Sequence, residues 1–389
     1  MRSGRPRGLF ADSLLYCTVF AAVALEIAVR LIKTLVVLLI ILVVALIWLT
    51  RPGPVDAVGW DAPPPPPATG ALVENTDLRQ AALLGQGMLN GPEAILLDDA
   101  GNLFSGTADG RIVRIDDQGN IHLVANTGGR PLGMALDNIG RLIVADAARG
   151  LLRIDADGRI EVLVDNIDGT PLTLCDDVTV GKDGTLYFTD ASSRFPLSHY
   201  RLDLIEGRPH GRLLAYHPDT GALRVLLDDL YFANGVTLSP DEDFVLVNET
   251  FRYRIRRFWL SGSNAGQDDL FADNLPGFPD NLSRRPAGDG YWVAIPSRRN
   301  PDFDQISHSA PLRNLLARLP QRLQPSPEHY GMVLLLDNAG EIVAAPQDPG
   351  GALLHELTSA VEHDGHLYLG SLSGDRIGKW PLPPALRHP

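Results

Sequence analysis

Cysteine is nearly missing from this 389-residue chain, where Cys17 and Cys175 are the only two. That excludes a disulfide framework and a cysteine-built metal centre, so the fold must stand on its core. Cys17 lies in or beside an apolar, membrane-like segment, and no bridge to Cys175 is expected. Positive charge is also short, with Lys+Arg at 34 against Asp+Glu at 47 and a net charge of -13. Residues 1 to 51 hold Arg2, Arg5, Arg7, Arg30, Lys33 and Arg51 against Asp12 and Glu26, so that stretch carries +4 and the remainder -17. A body this acidic repels phosphate backbones, so nucleic acid is not an expected partner; a cation held by carboxylates suits it, as does a plain soluble surface. No G-x-S-x-G elbow, P-loop or H-E-x-x-H is present, which leaves serine hydrolase, nucleotide triphosphatase and zincin readings without support. Gly85, Gly87 and Gly91 do not make the dinucleotide fingerprint.

One long apolar run is present. Thr34 to Thr50 reads TLVVLLIILVVALIWLT without a charge, and Leu31 and Ile32 extend it past Lys33 to about the 20 residues that span a bilayer. This predicts a transmembrane anchor over 31–50 behind a juxtamembrane N-terminus over 1–30. A cleaved signal peptide is the alternative, but the run ends in IWLTRPGP without a small-x-small site. Basic residues precede the span and only Arg51 follows closely, which predicts a cytoplasmic N-terminus and a body on the periplasmic or other extracytoplasmic side. Pro63 to Pro67 then predict a stiff polyproline spacer within a linker over 51–77.

Gly at 38 and Pro at 30 fit many short elements joined by tight turns. From there on a turn rich in Asp and Gly leads repeatedly into an alternating strand: DDAGNLFSG, DNIGRLIVAD, GKDGTLYFTD, SPDEDFVLVNE, AGDGYWVAI and EHDGHLYLGS. Companion strands such as GRIVRID and GLLRIDADGRIEVLV lie between several copies. Six copies at a four-strand period predict an all-β, six-bladed β-propeller over 78–384. A two-sheet sandwich would not need the repeat. The longest interval carries an insertion over 300–328. Within it SAPLRNLLARLPQRLQ (309–324) places Leu312, Leu315, Leu316, Leu319 and Leu323 near helical spacing with Arg313, Arg318 and Arg322 between. This reads as an amphipathic basic helix, which either packs over the propeller or forms a lid that also touches the membrane.

Propellers hold ligands where loops from several blades meet the axis. Short polar residues precede or open strands at four corresponding places: Glu93 in NGPEAILL, Asp176 with Asp177 in LCDDVTV, Asn234 in YFANGVTL, and Asp280 with Asn281 in PGFPDNLSR. Singly each suits a turn or strand cap. Together they form an oxygen-donor set suited to a hard divalent cation, calcium rather than zinc.

The segments GPEAI, DDVTVGKDGTLYFTDASSRF, GRLLAYHPDTGALRVLLDDLYFANGVTLSPDEDFVLVNET, GFPDNLSR and EHDGHLYLGSL resemble the strictosidine synthase-like family, and within it the adipocyte plasma membrane-associated protein branch. More distantly the chain is similar to gluconolactonase, regucalcin and paraoxonase-like propellers. The resemblance implies a calcium or other divalent-metal site formed by Glu93, Asp176, Asn234, Asp280 and Asn281. Relatives commonly carry Asn at the place of Asp176. It further implies an arylesterase or lactonase acting on small-molecule esters or lactones, with Asp176 and then Glu362 as candidate bases. Glu362 falls where strictosidine synthase has its catalytic glutamate, and His363 is a weaker candidate. No histidine stands near Thr107, where paraoxonases keep one. Two alternatives stay open: an amine–aldehyde condensing enzyme using Glu362, and a non-catalytic binding or scaffold propeller.

Overall fold

The computed structural model describes residues 9 to 387, and the chain divides into one unit ending at Gly53 and another beginning at Pro54. The first unit contains the helix α1 (Leu9–Thr50). Its stretch Val19–Trp48, which contains an 18-residue window of mean hydropathy 3.0, is long and apolar enough to cross a membrane and is a candidate anchor. Glu26 and Arg30, in the stretch expected to precede the anchor, belong to the same helix. The two side chains lie one turn apart on a continuous helix and pair at 2.9 Å, each offsetting the other's charge. Arg2, Arg5 and Arg7, on which the expected orientation partly rests, lie outside the described residues.

Among the described residues the second unit is a six-bladed β-propeller. Each blade is an antiparallel sheet, and the first five are laid down from axis to rim in chain order. The inner strands are Ile95–Leu97, Pro131–Leu136, Cys175–Val180, Ala233–Leu238, Leu282–Arg284 and Leu357–His363. Neighbouring inner strands touch all the way round the ring. The ring is closed by a strand from the start of the unit: Ala82–Leu84 pairs with Ile377–Pro381 and completes the sixth blade.

The repeated turns explain the regular blades. In the first, Asp98 Oδ1 accepts from the backbone N–H of Ala100 and of Asn102, while Gly101 takes φ +79°, a left-handed conformation most residues avoid. Asp137 does the same for Ile139 and Arg141. Each such turn delivers the chain into a second strand that is buried on both faces, as in Leu142–Asp146 and Leu186–Asp190. Those strands are apolar because a hydrophobic cluster fills each gap between adjoining blades. Ile143 and Ala145 meet Val178 and Phe188 between the second and third, and Trp292 and Val333 meet Leu367 and Trp380 between the fifth and sixth. Cys175 is buried in the former cluster, where desolvation holds its thiol well above its ordinary pKa.

Three short helices form a cap: α2 (Tyr200–Glu206), α3 (Pro301–Ile306) and α4 (Ala310–Ala317). The amphipathic helix expected over 309–324 is therefore shorter, with Pro320 opening a separate 3₁₀ turn, Gln321–Leu323. Its polarity is also partly reversed. Arg313 is 1% exposed and donates to the carbonyls of Leu204, Ile205 and Ser307. The first two are unpaired C-terminal carbonyls of α2, which draw a cation inward and leave leucines outside.

The polyproline segment does not act as a free spacer. Val58 N–H donates to Glu206 O, Trp60 exchanges backbone and side-chain bonds with Ser307, and the carbonyls of Pro63 and Pro64 accept from Arg299 and Asn274. Proline offers a backbone carbonyl but no N–H, so this run is held through carbonyls that accept from side chains. Residues 55–66 thus form a strap across the propeller, with Val55 and Ala57 buried among cap residues Ile205, Phe303 and Ala317.

Leu78 is wholly buried beside the closing strand. Leu78→Ala should lower unfolding free energy by about 2 to 5 kcal/mol in urea denaturation. Asp203, buried in α2 and accepting from Ser192 Oγ at 2.5 Å, is pushed up to about 7 by desolvation. An acid raised in the folded state keeps a proton that the unfolded chain releases, so its stabilising contribution is lost as pH rises through about 7. Asp203→Asn should therefore reduce the fall in stability between about pH 5 and about pH 8, read from urea midpoints.

Candidate functional site

Four of the inner strands bring the expected oxygen donors together on the axis. Glu93 stands two residues before the first inner strand, Asp176 and Asn234 lie at the mouth ends of the third and fourth, and Asp280 and Asn281 lead into the fifth. All five are between 4% and 8% exposed. Inner strands converge because each opens a blade, so equivalent positions in different blades meet at the centre. Gly235 makes the approach possible: a Cβ there would lie 2.5 Å from Asn281 Cα and 2.6 Å from Asp280 O. Asn248 Nδ2 also donates to Asp280 O, tying the fourth blade to the fifth.

The electrostatics are those of crowded acids out of water. Desolvation first, then the charges of Asp280 and Glu93, hold the Asp176 carboxyl well above the usual range. Desolvation and Glu93 do the same to Asp280, against hydrogen bonds from Asn281 and Asn234. Asp177 has another task. Its two oxygens accept from Val178 N–H and Val236 N–H at 2.8 and 2.9 Å, joining the third blade to the fourth, while burial pushes it up to about 7.

Three oxygens of the expected donor set have no hydrogen-bond partner: Asn234 Oδ1, Asp280 Oδ1 and Asn281 Oδ1. Buried acceptors left unmade are costly, and hard oxygen donors from two blades fit a divalent cation such as calcium. Asp176 and Glu93 supply further carboxylates. Among the described residues, no three His, Cys, Asp or Glu side chains form a ready cluster by themselves, so a cation held here would draw on the two amides as well.

Sequence reasoning missed Arg130. Its guanidinium, 8% exposed, pairs with Glu93 at 2.5 Å and donates to Gly91 O and Leu372 O. Coulombic attraction and hydrogen bonding to Arg130 pull the Glu93 carboxyl down, but burial outweighs them and leaves it raised. In the second blade Leu132 holds the place that Asp176 and Asn234 hold in the third and fourth, and Arg130 reaches Glu93 from two residues earlier, so position in the repeat gave no signal for it.

Glu362 does not join them. It sits toward the far end of the sixth inner strand, where it accepts from Arg285 Nε at 2.8 Å and from Trp292 Nε1 at 2.7 Å. Both its oxygens serve a buried structural network, because Arg285 Nη2 takes the second. His363 follows it on the same strand, away from the cluster. Thr107 Oγ1 bonds Asp109 and Arg111 O.

Above the cluster opens a cavity of about 960 Å³, with Asn234 and Asp280 in its lining. Phe232, Phe251 and Phe278 form an aromatic wall, with Phe232 and Phe251 centroids 4.3 Å apart and Phe251 edge-on to Phe278. Phe232 takes φ +63°, a strained conformation for an aromatic residue that turns the chain at the start of the fourth blade. Pro63 to Pro66 of the strap and residues of α3 complete the rim. On the opposite side of the cluster a second cavity follows the inner strands and is lined by Asp177 and Asn281.

Two family profiles match: strictosidine synthase over residues 176–263, and the strictosidine synthase-like N-terminal profile over 70–115. The adipocyte plasma membrane-associated protein of Rattus norvegicus is 38% identical over 343 residues, covering 82% of this chain and 90% of the relative. Strictosidine synthase-like 6 of Arabidopsis thaliana is 39% identical, covering 77% and 81%. Among solved structures, a gluconolactonase of Xanthomonas campestris superposes with TM-score 0.58 at 21% identity, covering 86% of this chain and 99% of that one. A calcium-binding regucalcin of Agrobacterium tumefaciens gives 0.53 at 14%, covering 77% and 91%. At these identities the structural likeness speaks for the propeller fold alone.

Gly235→Ala should drive the fourth and fifth blades apart at the site. The expected result is a lower melting temperature and loss of any stabilisation by added calcium, while Gly221→Ala, in an open turn, keeps that response.

Proposed function

The chain belongs to the strictosidine synthase-like family, and from that membership we propose a hydrolase of esters or lactones that works with a divalent cation, calcium by the chemistry of its donors. The observation that carries this reading is the set of three unpartnered, buried oxygens of Asn234, Asp280 and Asn281 beneath an aromatic-walled cavity. The names of the gluconolactonase and the calcium-binding regucalcin support it. We also propose that α1 anchors the chain with its N-terminus cytoplasmic and the propeller on the extracytoplasmic side, from the basic residues that precede the span.

Glu93, Asp176, Asn234, Asp280 and Asn281 would hold the ion. When bound, it supplies Lewis-acid stabilisation of the oxyanion that forms as an ester or lactone carbonyl is attacked. Asp176 is proposed to take the proton of the attacking water, its carboxyl standing beside those of Asp280 and Glu93. Phe232, Phe251 and Phe278 hold the apolar part of the substrate and keep bulk water off the reacting carbonyl. Arg130 fixes Glu93 and offsets part of the site's negative charge. The bonds that engage Glu362 weigh against the amine–aldehyde condensation, which would need that carboxylate free.

The test is hydrolysis of phenyl acetate and a small lactone panel by the full chain in detergent, after chelation and again after calcium is restored. Activity should vanish and return, and Asp280→Ala and Glu93→Ala should each lose about 10²-fold or more together with calcium binding. Asp176→Asn should keep calcium binding and lose turnover. Full activity in chelator, or in both Asp280→Ala and Glu93→Ala, overturns the proposal; calcium-dependent stability without any turnover supports a scaffold instead.

A further inference from the structure

The inward turn of Arg313 leaves an apolar surface on the outside of the cap. Leu312, Leu315 and Leu323 are 45%, 40% and 59% exposed, and Pro311 and Pro320 are exposed beside them. Leu312 and Leu315 lie one turn apart on α4, and Leu323 is carried by the 3₁₀ turn that follows. From Ser307 to Pro327 there is no acidic residue, in a body whose net charge is strongly negative, and Arg322 is exposed within the patch. An apolar face bordered by a cation, with the nearby Asp56 of the strap paired to Arg208, is the pattern of a surface that enters the headgroup region of a bilayer.

We propose that this face, α4 with the turn after it, docks onto the lipid bilayer in which α1 is anchored. The chain itself favours lipid over other occupants. The candidate span ends at Trp48, and by Val55 the polypeptide is already buried among Phe303 and Ala317 of α3 and α4. Only the short stretch Leu49 to Pro54 intervenes. A tether this short keeps the cap at a high effective concentration near lipid, so three leucines too few to hold a free protein on a membrane suffice for an anchored one. The same insertion that carries the leucines also lines the cavity rim through Phe303, Pro325 and Pro327, so docking sets the mouth facing lipid-dissolved molecules. The docking stands independently of the hydrolase reading.

The test uses the full chain with Cys17→Ser and Leu315→Cys, labelled at residue 315 with an environment-sensitive fluorophore and reconstituted into phosphatidylcholine–phosphatidylserine vesicles. Cys175 is buried and stays unlabelled. A second sample carries the label at Ile139→Cys, which is 75% exposed in a turn at the opposite end of the inner strands. Spin-labelled lipid should quench the label at 315 at least about threefold more than that at 139, with iodide showing the reverse. Adding Leu312→Asp and Leu323→Asp should restore iodide access at 315 without lowering the melting temperature. Equal quenching of both positions by iodide overturns the proposal. So does protection of residue 315 from both quenchers, which would mean that protein, a second copy or another partner, covers the face.

Discussion

Crowding carboxylates onto an axis away from water is the constraint around which this molecule is arranged. A propeller meets it by geometry, since the first residues of successive inner strands converge whatever they are. In four of the six blades they are acids and amides. The fold answers part of the cost internally: Arg130 pairs with Glu93, and the amides of Val178 and Val236 satisfy Asp177. The raised Asp176 and Asp280 and the idle oxygens of Asn234, Asp280 and Asn281 mark what is left unanswered. A divalent cation is the proposed complement, because it adds charge and accepts several oxygens at once.

The segment between the anchor and the propeller ties the two halves of the account together. It is held along the cap and the cavity rim by bonds to Glu206, Ser307, Arg299 and Asn274. Its prolines therefore shape a wall, and their fixed φ angles make that wall stiff. The closing strand Ala82–Leu84 then locks the first residues of the body to its last blade. Stability of the ring and shape of the cavity both depend on residues that a scan for blades passes over.

The propeller was legible because its turns obey a local rule: an Asp side chain caps the turn and a glycine completes it, so the repeat survives divergence elsewhere. That the candidate donors would lie together was legible for a related reason, since axial position follows from place in the repeat. The family resemblance supplied what the repeat could not, namely an expected chemistry and the further candidate Glu362. Long-range partners were not legible. Nothing near Glu362 in sequence announces that Arg285 and Trp292 occupy it, and nothing in the spacing of SAPLRNLLARLPQRLQ reveals that Arg313 turns inward to the end of α2. The polyproline run suggested a spacer because its stiffness is local, whereas its acceptors are used by side chains more than two hundred positions away.

The most direct test of the central claim is a calorimetric titration of calcium into the chelated full chain in detergent. Saturable binding of one ion per chain, lost in Asp280→Ala and kept in Glu362→Gln, is the predicted result. No binding, or binding that survives Asp280→Ala unchanged, would contradict the assignment of a cation to the axis.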